Sequence, residues 1–298
     1  MTRTRSVTGH NRRWRQIQVR QHSADDQTVT TLTKTEQLPA EIASAAVWAT
    51  GLVRKFGKSV AVDDLDLRIA PGEFYGLIGQ NGAGKTTTIK MIVGLLRPTA
   101  GRAGVSGFDT WSNPIEVKKR IGVLPEEFNL YERLTGAELL DFAAAMHSVP
   151  RAEAVARRDE LLDLLDLEDA ASKLVGDYSR GMRKKVALAA AIIHRPEVLF
   201  LDEPFEGVDA VSARLIQQLL QRYTERGATI VFSGHEMHLV ERLCTRIGIM
   251  VDGHMALEDT PEGLCTRMGV TTVEDAFIAA VGGEVDSRGL AWLHDSRD

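Results

Sequence analysis

Gly79-Gln80-Asn81-Gly82-Ala83-Gly84-Lys85-Thr86 is the stretch that decides how this chain is read. It fits the pattern G-x-x-x-x-G-K-[ST] at every fixed position, and its flanks agree with it. Phe74 to Ile78 is an apolar run that reads as a strand entering the loop. Behind the loop Ile89, Ile92, Val93 and Leu96 fall at i, i+3, i+4 and i+7, which predicts a helix with one core-facing stripe, stopped by Pro98. Strand, glycine loop and helix in that order make a phosphate cradle. Phosphate oxygens must be met by main-chain N–H groups at close range, and glycines let the backbone bend and approach with no Cβ in the way. The helix N-terminus adds partial positive charge. Lys85 supplies a full charge for the β and γ phosphates, and the Thr86 hydroxyl is placed to ligate Mg²⁺.

A second acidic element lies about 115 residues on. Val198-Leu199-Phe200-Leu201 is short and wholly apolar, as suits the middle of a parallel sheet, and it runs into Asp202-Glu203. Two carboxylates at the end of a buried strand have a chemical use beside a phosphate loop. Asp202 can hold Mg²⁺ through its water shell, and Glu203 can polarise an attacking water. Solvated acids at an ordinary strand end would be the plainer reading if the phosphate loop were not there.

Elsewhere, strands and helices alternate. Leu65, Leu67 and Ile69 alternate with polar residues, a half-buried strand ended by Pro71-Gly72. Residues 135–175 read as a helical block, opened by Thr135 and Glu138 at capping-box spacing, with Leu161, Leu162 and Leu165 along a second helix near 152–167. A helix after Arg180 carries Val186, Ala187 and Ile193 and ends at Pro196. A helix near 215–223, a strand at 229–232 and a hairpin turning at Asp252-Gly253 follow. Phe277, Ile278 and Val281 suit a small terminal helix. The alternation predicts an α/β sheet with helices on both faces.

Bulk properties narrow the function classes. The chain has 298 residues, with 44% hydrophobic and 26% charged side chains, ordinary for a globular protein. A net charge of -5 argues against a general affinity for nucleic acid. Cys244 and Cys265 stand apart and read as two reduced thiols, not as zinc ligands. No apolar run approaches the roughly 20 residues that span a bilayer. The first twenty residues carry six arginines (Arg3, Arg5, Arg12, Arg13, Arg15, Arg20) and no acid. Residues 1–45 therefore read as a disordered basic arm, more simply a dispensable extension than a lipid or RNA contact. A cytoplasmic protein is expected, with any membrane role passing through a partner.

Taken together these motifs resemble the ATP-binding cassette ATPases, the motor subunits of ABC transporters, over about residues 46–260. The family's signature, usually Leu-Ser-Gly-Gly-Gln, is matched by Tyr178-Ser179-Arg180-Gly181-Met182, which keeps the Ser and the second Gly. Arg180 and Met182 depart from it in the manner of bacterial exporter ATPases. Leu124-Pro125-Glu126-Glu127 falls at the family's glutamine loop, with Glu126 where Gln is usual. Phe56 matches the aromatic that stacks on adenine; a core aromatic is the competing reading. Gly207-Val208-Asp209 resembles the D-loop, and His235 the switch histidine. His194, His238 and His254 read as surface or helix-end residues.

The resemblance implies an α/β P-loop NTPase with a mostly parallel sheet core, an antiparallel β subdomain and a helical subdomain at about 127–182, followed by a short tail, 261–298. It implies ATP and Mg²⁺ as ligands. Phe56, Gly79, Asn81, Gly82, Ala83, Gly84, Lys85, Thr86, Thr87, Ser179 and Gly181 would contact nucleotide. Thr86, Asp202 and Glu126 would hold the metal, and Glu203 and His235 would be catalytic. Two copies, or this chain and a related ATPase, would sandwich two nucleotides and drive an integral membrane permease at the inner face of the membrane. Motion would pass through Glu126 to Tyr131. No specific nucleic acid partner is expected. A DNA-repair ATPase is disfavoured because only about 95 residues separate Lys85 from Ser179. A translation ATPase would carry two cassettes. The presence of Glu203 and His235 argues against a weakly hydrolysing regulatory subunit, while Glu126 and Arg180 keep that reading open.

Overall fold

A computed structural model describes residue 42, residues 44–127 and residues 129–282. The basic arm therefore lies outside the described residues except for Ile42, Ser44 and Ala45, and so do residues 283–298 and Phe128.

In chain order the elements are β1 (Val47–Phe56), β2 (Ser59–Ile69), β3 (Phe74–Gly79), α1 (Lys85–Ile92), β4 (Ala100–Val105), β5 (Phe108–Asp109), α2 (Pro114–Arg120), β6 (Ile121–Leu124), α3 (Gly136–Met146), α4 (Arg151–Leu164), α5 (Arg180–Ile192), β7 (Val198–Asp202), α6 (Ala210–Glu225), β8 (Thr229–Gly234), α7 (Met237–Leu243), β9 (Arg246–Val251), β10 (His254–Asp259), α8 (Pro261–Met268) and α9 (Val273–Ala280). The described strands make two sheets, β2-β1-β4-β5 and β10-β9-β3-β8-β7-β6. The first is antiparallel throughout. The second is parallel from β9 to β6, with β10 antiparallel at its edge. This is the ABC-type α/β architecture expected from the resemblance.

The central strands are apolar along their length because both of their faces are covered. Alternate side chains feed two cores. Leu199 and Leu201 of β7 pack with Phe74, Ile78, Ile230 and Phe232 and the buried faces of α3 to α6. Val198 and Phe200 join Tyr75, Leu77 and Val231, together with Ile89 of α1 and the inner face of the antiparallel sheet. In that sheet Leu65, Leu67 and Ile69 are buried, as their alternation requires. The β9–β10 turn places Asp252 and Gly253 at φ +48° and +83°, the pair of left-handed residues a two-residue hairpin wants.

Thr135 and Glu138 make a complete capping box at the start of α3. Other local expectations shift. Helix α1 ends at Ile92, not at Pro98. Gly94 takes φ +80°, and the amides of Leu95 and Leu96 turn back onto the Lys90 carbonyl, so a glycine C-terminal turn ends the helix before the proline is reached. In α9 the fully buried side chains are Val273 and Ala276, with Phe277 packed at their margin. Ile42, Ala45 and Trp48 form a small cluster at the entry to β1.

His194, expected at a surface or a helix end, follows the end of α5 and is half buried. Its ring stacks on His147 with centroids 3.5 Å apart. Nε2–H donates to the Ile121 carbonyl at 3.0 Å. Burial, then the neighbouring His147 and Arg157, push this imidazole down to about 4 from an ordinary value of 6.5. The folded state thus disfavours the proton that the unfolded chain takes up near 6.5. Stability from the neutral ring is complete above pH 6.5 and is lost as the pH falls toward 4. His194→Gln is expected to flatten the fall of the urea midpoint across that window. A variant whose midpoint declines as steeply as that of the unaltered protein would count against this assignment.

Candidate functional site

The loop between β3 and α1 is glycine-dependent for three separate reasons. At Gly79 a Cβ would lie 2.6 Å from the Met250 carbonyl, so the strand end packs too closely for a side chain. At Gly84, the N-cap of α1, φ is +104° and a Cβ would meet the Ala61 carbonyl at 2.5 Å. Gly82 has free space around it, yet takes φ +85°. No side chain caps α1 and no acid sits in its first turn. The amides of that turn have no acceptor inside the helix, which leaves them for an anion. Thr86 and Thr87 belong to this turn, and Asn81 and Ala83 to the loop before it.

Lys85 is buried. Its Nζ donates to the Gly79 carbonyl at 2.7 Å and to the Gln80 carbonyl at 3.2 Å. Of three N–H donors, two are thus used on the loop itself. Burial lowers its pKa, and Glu203, Asp202 and Glu126 oppose that through their charge. The ammonium therefore faces carboxylates without touching them.

Those carboxylates come from the next strands of the sheet. Asp202 ends β7, paired in register with Ser233 of β8, and the Ser233 hydroxyl donates a short hydrogen bond to Asp202 Oδ1. Glu203 follows at φ +49°, a left-handed conformation uncommon for a residue with a long side chain. Its amide donates to the Ser233 carbonyl at 3.2 Å. Its carboxylate is 12% exposed and lies 3.0 Å from His235 Nδ1. Glu126, just beyond β6, is exposed. Loss of hydration and then the charges of Asp202, Glu206, Glu203 and Glu127 raise its pKa.

The structure thus brings Lys85, Asp202, Glu203, His235 and Glu126 to one end of one sheet. The rest of the loop and the first turn of α1 go with Lys85, and three further expected residues, Ser179, Gly181 and Phe56, lie on other elements. Ser179 N-caps α5, accepting from the Met182 amide at 3.2 Å, and Gly181 lies in that helix's first turn. A Cβ on Gly181 would come 3.5 Å from Asp209 Oδ2, so this turn adjoins the segment expected to be the D-loop. Asp209 caps α6 through the amides of Val211 and Ser212, both at 3.0 Å. Phe56 is 47% exposed, with the Arg54 guanidinium 4.5 Å over its ring, which sets aside a core role. It ends β1, at the turn into the strand that carries Ala61 past Gly84. Two residues with direct contacts to this group were not singled out from the sequence. Ser233 lies one residue beyond the strand expected at 229–232. Lys184 donates to the Glu203 carbonyl at 2.6 Å from a buried position on α5.

Among the described residues no cluster of three or more His, Cys, Asp or Glu side chains could hold a metal ion alone. A hydroxyl and one or two carboxylates beside a phosphate cradle nevertheless suit Mg²⁺, which keeps waters and shares phosphate oxygens instead of filling an all-protein cage.

The model of the family described as ABC transporter matches residues 62–206. The linearmycin resistance ATP-binding protein LnrL of Bacillus subtilis (strain 168) is 34% identical over 255 residues, covering 83% of this chain and 80% of LnrL. Among solved structures, an ATP-binding subunit of an ABC transporter superposes with TM-score 0.75 at 28% identity, covering 79% of this chain and 99% of its own. The ATP-binding cassette MJ0796, a dimer in a post-hydrolysis state bound to ADP and Pi, superposes with TM-score 0.66 at 27% identity, covering 72% of this chain and 98% of its own.

The glycine geometry sets a measurable expectation. Gly84→Ala combines a forbidden φ with a main-chain overlap, so it should cost more than about 1 kcal/mol of stability. It should also weaken ATP binding at least about tenfold, since one kink serves both fold and cradle. Titration with a fluorescent ATP analogue and thermal unfolding check both; an affinity within threefold of normal would contradict the cradle.

Proposed function

This chain belongs to the ABC transporter family, and we propose that it is the ATP-hydrolysing subunit of an exporter whose membrane-spanning part is a separate chain. No helix among the described residues is long and apolar enough to cross a membrane. Work on a membrane cargo then has to be delivered to a permease, which would hold this subunit at the inner face of the cell membrane. LnrL is named for resistance to linearmycin, and the signature with Arg180 and Met182 resembles exporter ATPases; both support outward transport.

The observation that carries the reading is the convergence of Lys85, Asp202, Glu203 and His235 at the C-terminal ends of neighbouring parallel strands. Such strand ends are where open α/β sheets hold their ligands. In this reading Gly79 to Thr87 cradle the phosphates by main-chain amides, and Lys85 neutralises them. Phe56 stacks on the base. Thr86, Asp202 and Glu126 are the residues that would hold Mg²⁺, which when bound spreads charge from the β and γ phosphates.

Glu203 accepts a proton from water as the water oxygen attacks the γ-phosphorus. The bond from that phosphorus to the β–γ bridging oxygen breaks, giving ADP and inorganic phosphate. His235 orients the Glu203 carboxylate and the γ-phosphate. Ser179 and Gly181 meet the nucleotide held by a second copy, so ATP bridges the dimer and hydrolysis removes the bridge. A shift between dimer states needs only a few kcal/mol of differential affinity.

Glu203→Gln keeps the shape and removes the base. Turnover should fall by about 10²-fold or more while ATP affinity stays within a few-fold. Phosphate release at a near-normal rate would refute the general-base role. Lys85→Ala should abolish tight ATP binding, measured by equilibrium titration with Mg²⁺ present; an unchanged dissociation constant would remove the loop assignment.

A further inference from the structure

Helix α5 grips the loop that carries the proposed base, and it does so from two sides. Beneath the loop Lys184 is 2% exposed. Its Nζ donates to the Glu203 carbonyl at 2.6 Å and to the Glu206 carbonyl at 2.9 Å. Among the described residues it makes no salt bridge, although Glu206, Glu203 and Glu126 act on it through their charge. Above the loop Arg180 lies across Gly207, where a Cβ would stand 2.5 Å from the guanidinium carbon, and its Nη2 reaches Glu206 at 3.5 Å. Both side chains come from the first turns of one helix.

A buried ammonium held only by carbonyls is a poor device for stability. An apolar side chain at a core-facing helix position would avoid the loss of hydration. What the ammonium does supply is direction. Glu203 holds φ +49°, which places its amide on Ser233 and its carboxylate beside His235. A main-chain residue kept in that region needs its surroundings to hold it there. The Glu203 carbonyl accepts from the Glu206 amide at 3.3 Å and from Lys184 at 2.6 Å, so Lys184 supplies the shorter of its two bonds and the only one that comes from outside the turn.

We infer that Lys184 is a positioning residue: it fixes the left-handed turn at Glu203 and so aims the carboxylate that accepts the proton in hydrolysis. The inference rests on Glu203 being that base. It also ties two sites together. Helix α5 carries Ser179 and Gly181 at its N-terminus, the residues that would meet the second copy's nucleotide. Any shift of α5 that the second nucleotide causes is then passed through Lys184 to the base of this chain's own site.

The test is steady-state ATP hydrolysis by the full-length protein, with ATP affinity measured alongside. Lys184→Met should lower kcat at least tenfold and leave KM and the ATP dissociation constant within threefold. Lys184→Arg, which can still donate to both carbonyls, should recover at least a third of kcat. In a Glu203→Gln background, adding Lys184→Met should change the residual rate by less than twofold, because the group it aims is gone. If Lys184→Met does not give a folded protein, Lys184→Gln, with an amide that reaches one carbonyl, takes its place in the same comparisons. The inference is overturned by a normal kcat in Lys184→Met, by a loss confined to KM, or by a loss that persists undiminished with Glu203→Gln. Unimpaired hydrolysis by Glu203→Gln alone would instead overturn the general-base reading.

Discussion

A lysine ammonium buried at the start of α1, bonded to the carbonyls of the loop before it and facing carboxylates it does not touch, is the constraint on which the site depends. Lys85 reaches its charge balance through space, with Glu203, Asp202 and Glu126 all acting on it. Those acids oppose the effect of burial on the ammonium, and more so the closer they stay. Sheet order keeps them close. The strand that leads into the loop, β3, is neighboured by β8, and β8 by β7. With β6 beside β7, the loop, His235 and the acids therefore emerge side by side from four adjacent parallel strands, although they are far apart in sequence. An anion brought between the ammonium and the carboxylates needs the positive partners already in place, the uncapped amides of α1 first among them.

The parts of this arrangement that could be read from the sequence share a property: their physics is local. The phosphate loop needs three glycines at fixed steps, and each has its own steric reason. The capping box needs Thr135 and Glu138 three residues apart, and the β9–β10 turn needs Asp252-Gly253. β7 announces itself because four consecutive apolar residues are buried on both faces. Where the cause is tertiary, the sequence is silent. β1 is anchored between β2 and β4, with register shifts that blur its alternation. β6 is four residues long, too short to carry a period. The end of α1 was misplaced because a proline is conspicuous and a glycine turn four residues earlier is not.

The same division runs through the site. Lys85, Thr86, Asp202, Glu203 and His235 could be named because motif order constrained them. Lys184 could not, because a lysine in an amphipathic helix normally lies on the wet face. Its burial follows from where α5 crosses the loop after β7, which no window of sequence contains. Phe56 shows the converse. An aromatic at a strand end is as compatible with a core as with a ligand face, and only its exposure and the Arg54 cation above it separate the two.

Lys85 and Lys184 make a related pair. Both are buried, both donate to two main-chain carbonyls, and burial lowers the pKa of both while nearby acids oppose it. One anchors in the loop before the phosphates, the other in the turn that bears Glu203. In the proposed reading they fix the two ends of the gap that a reacting water and a phosphate would share. The outer contact, Arg180 with Glu206, is of another kind. Both groups are largely exposed, 66% and 41%, so the pair is screened and stabilises little, well under about 1 kcal/mol. A helix held by a firm inner bond and a weak outer one is free to change its outer partner without releasing the inner. An inner bond that persists while the outer partner changes is what would let α5 carry a shift to Glu203.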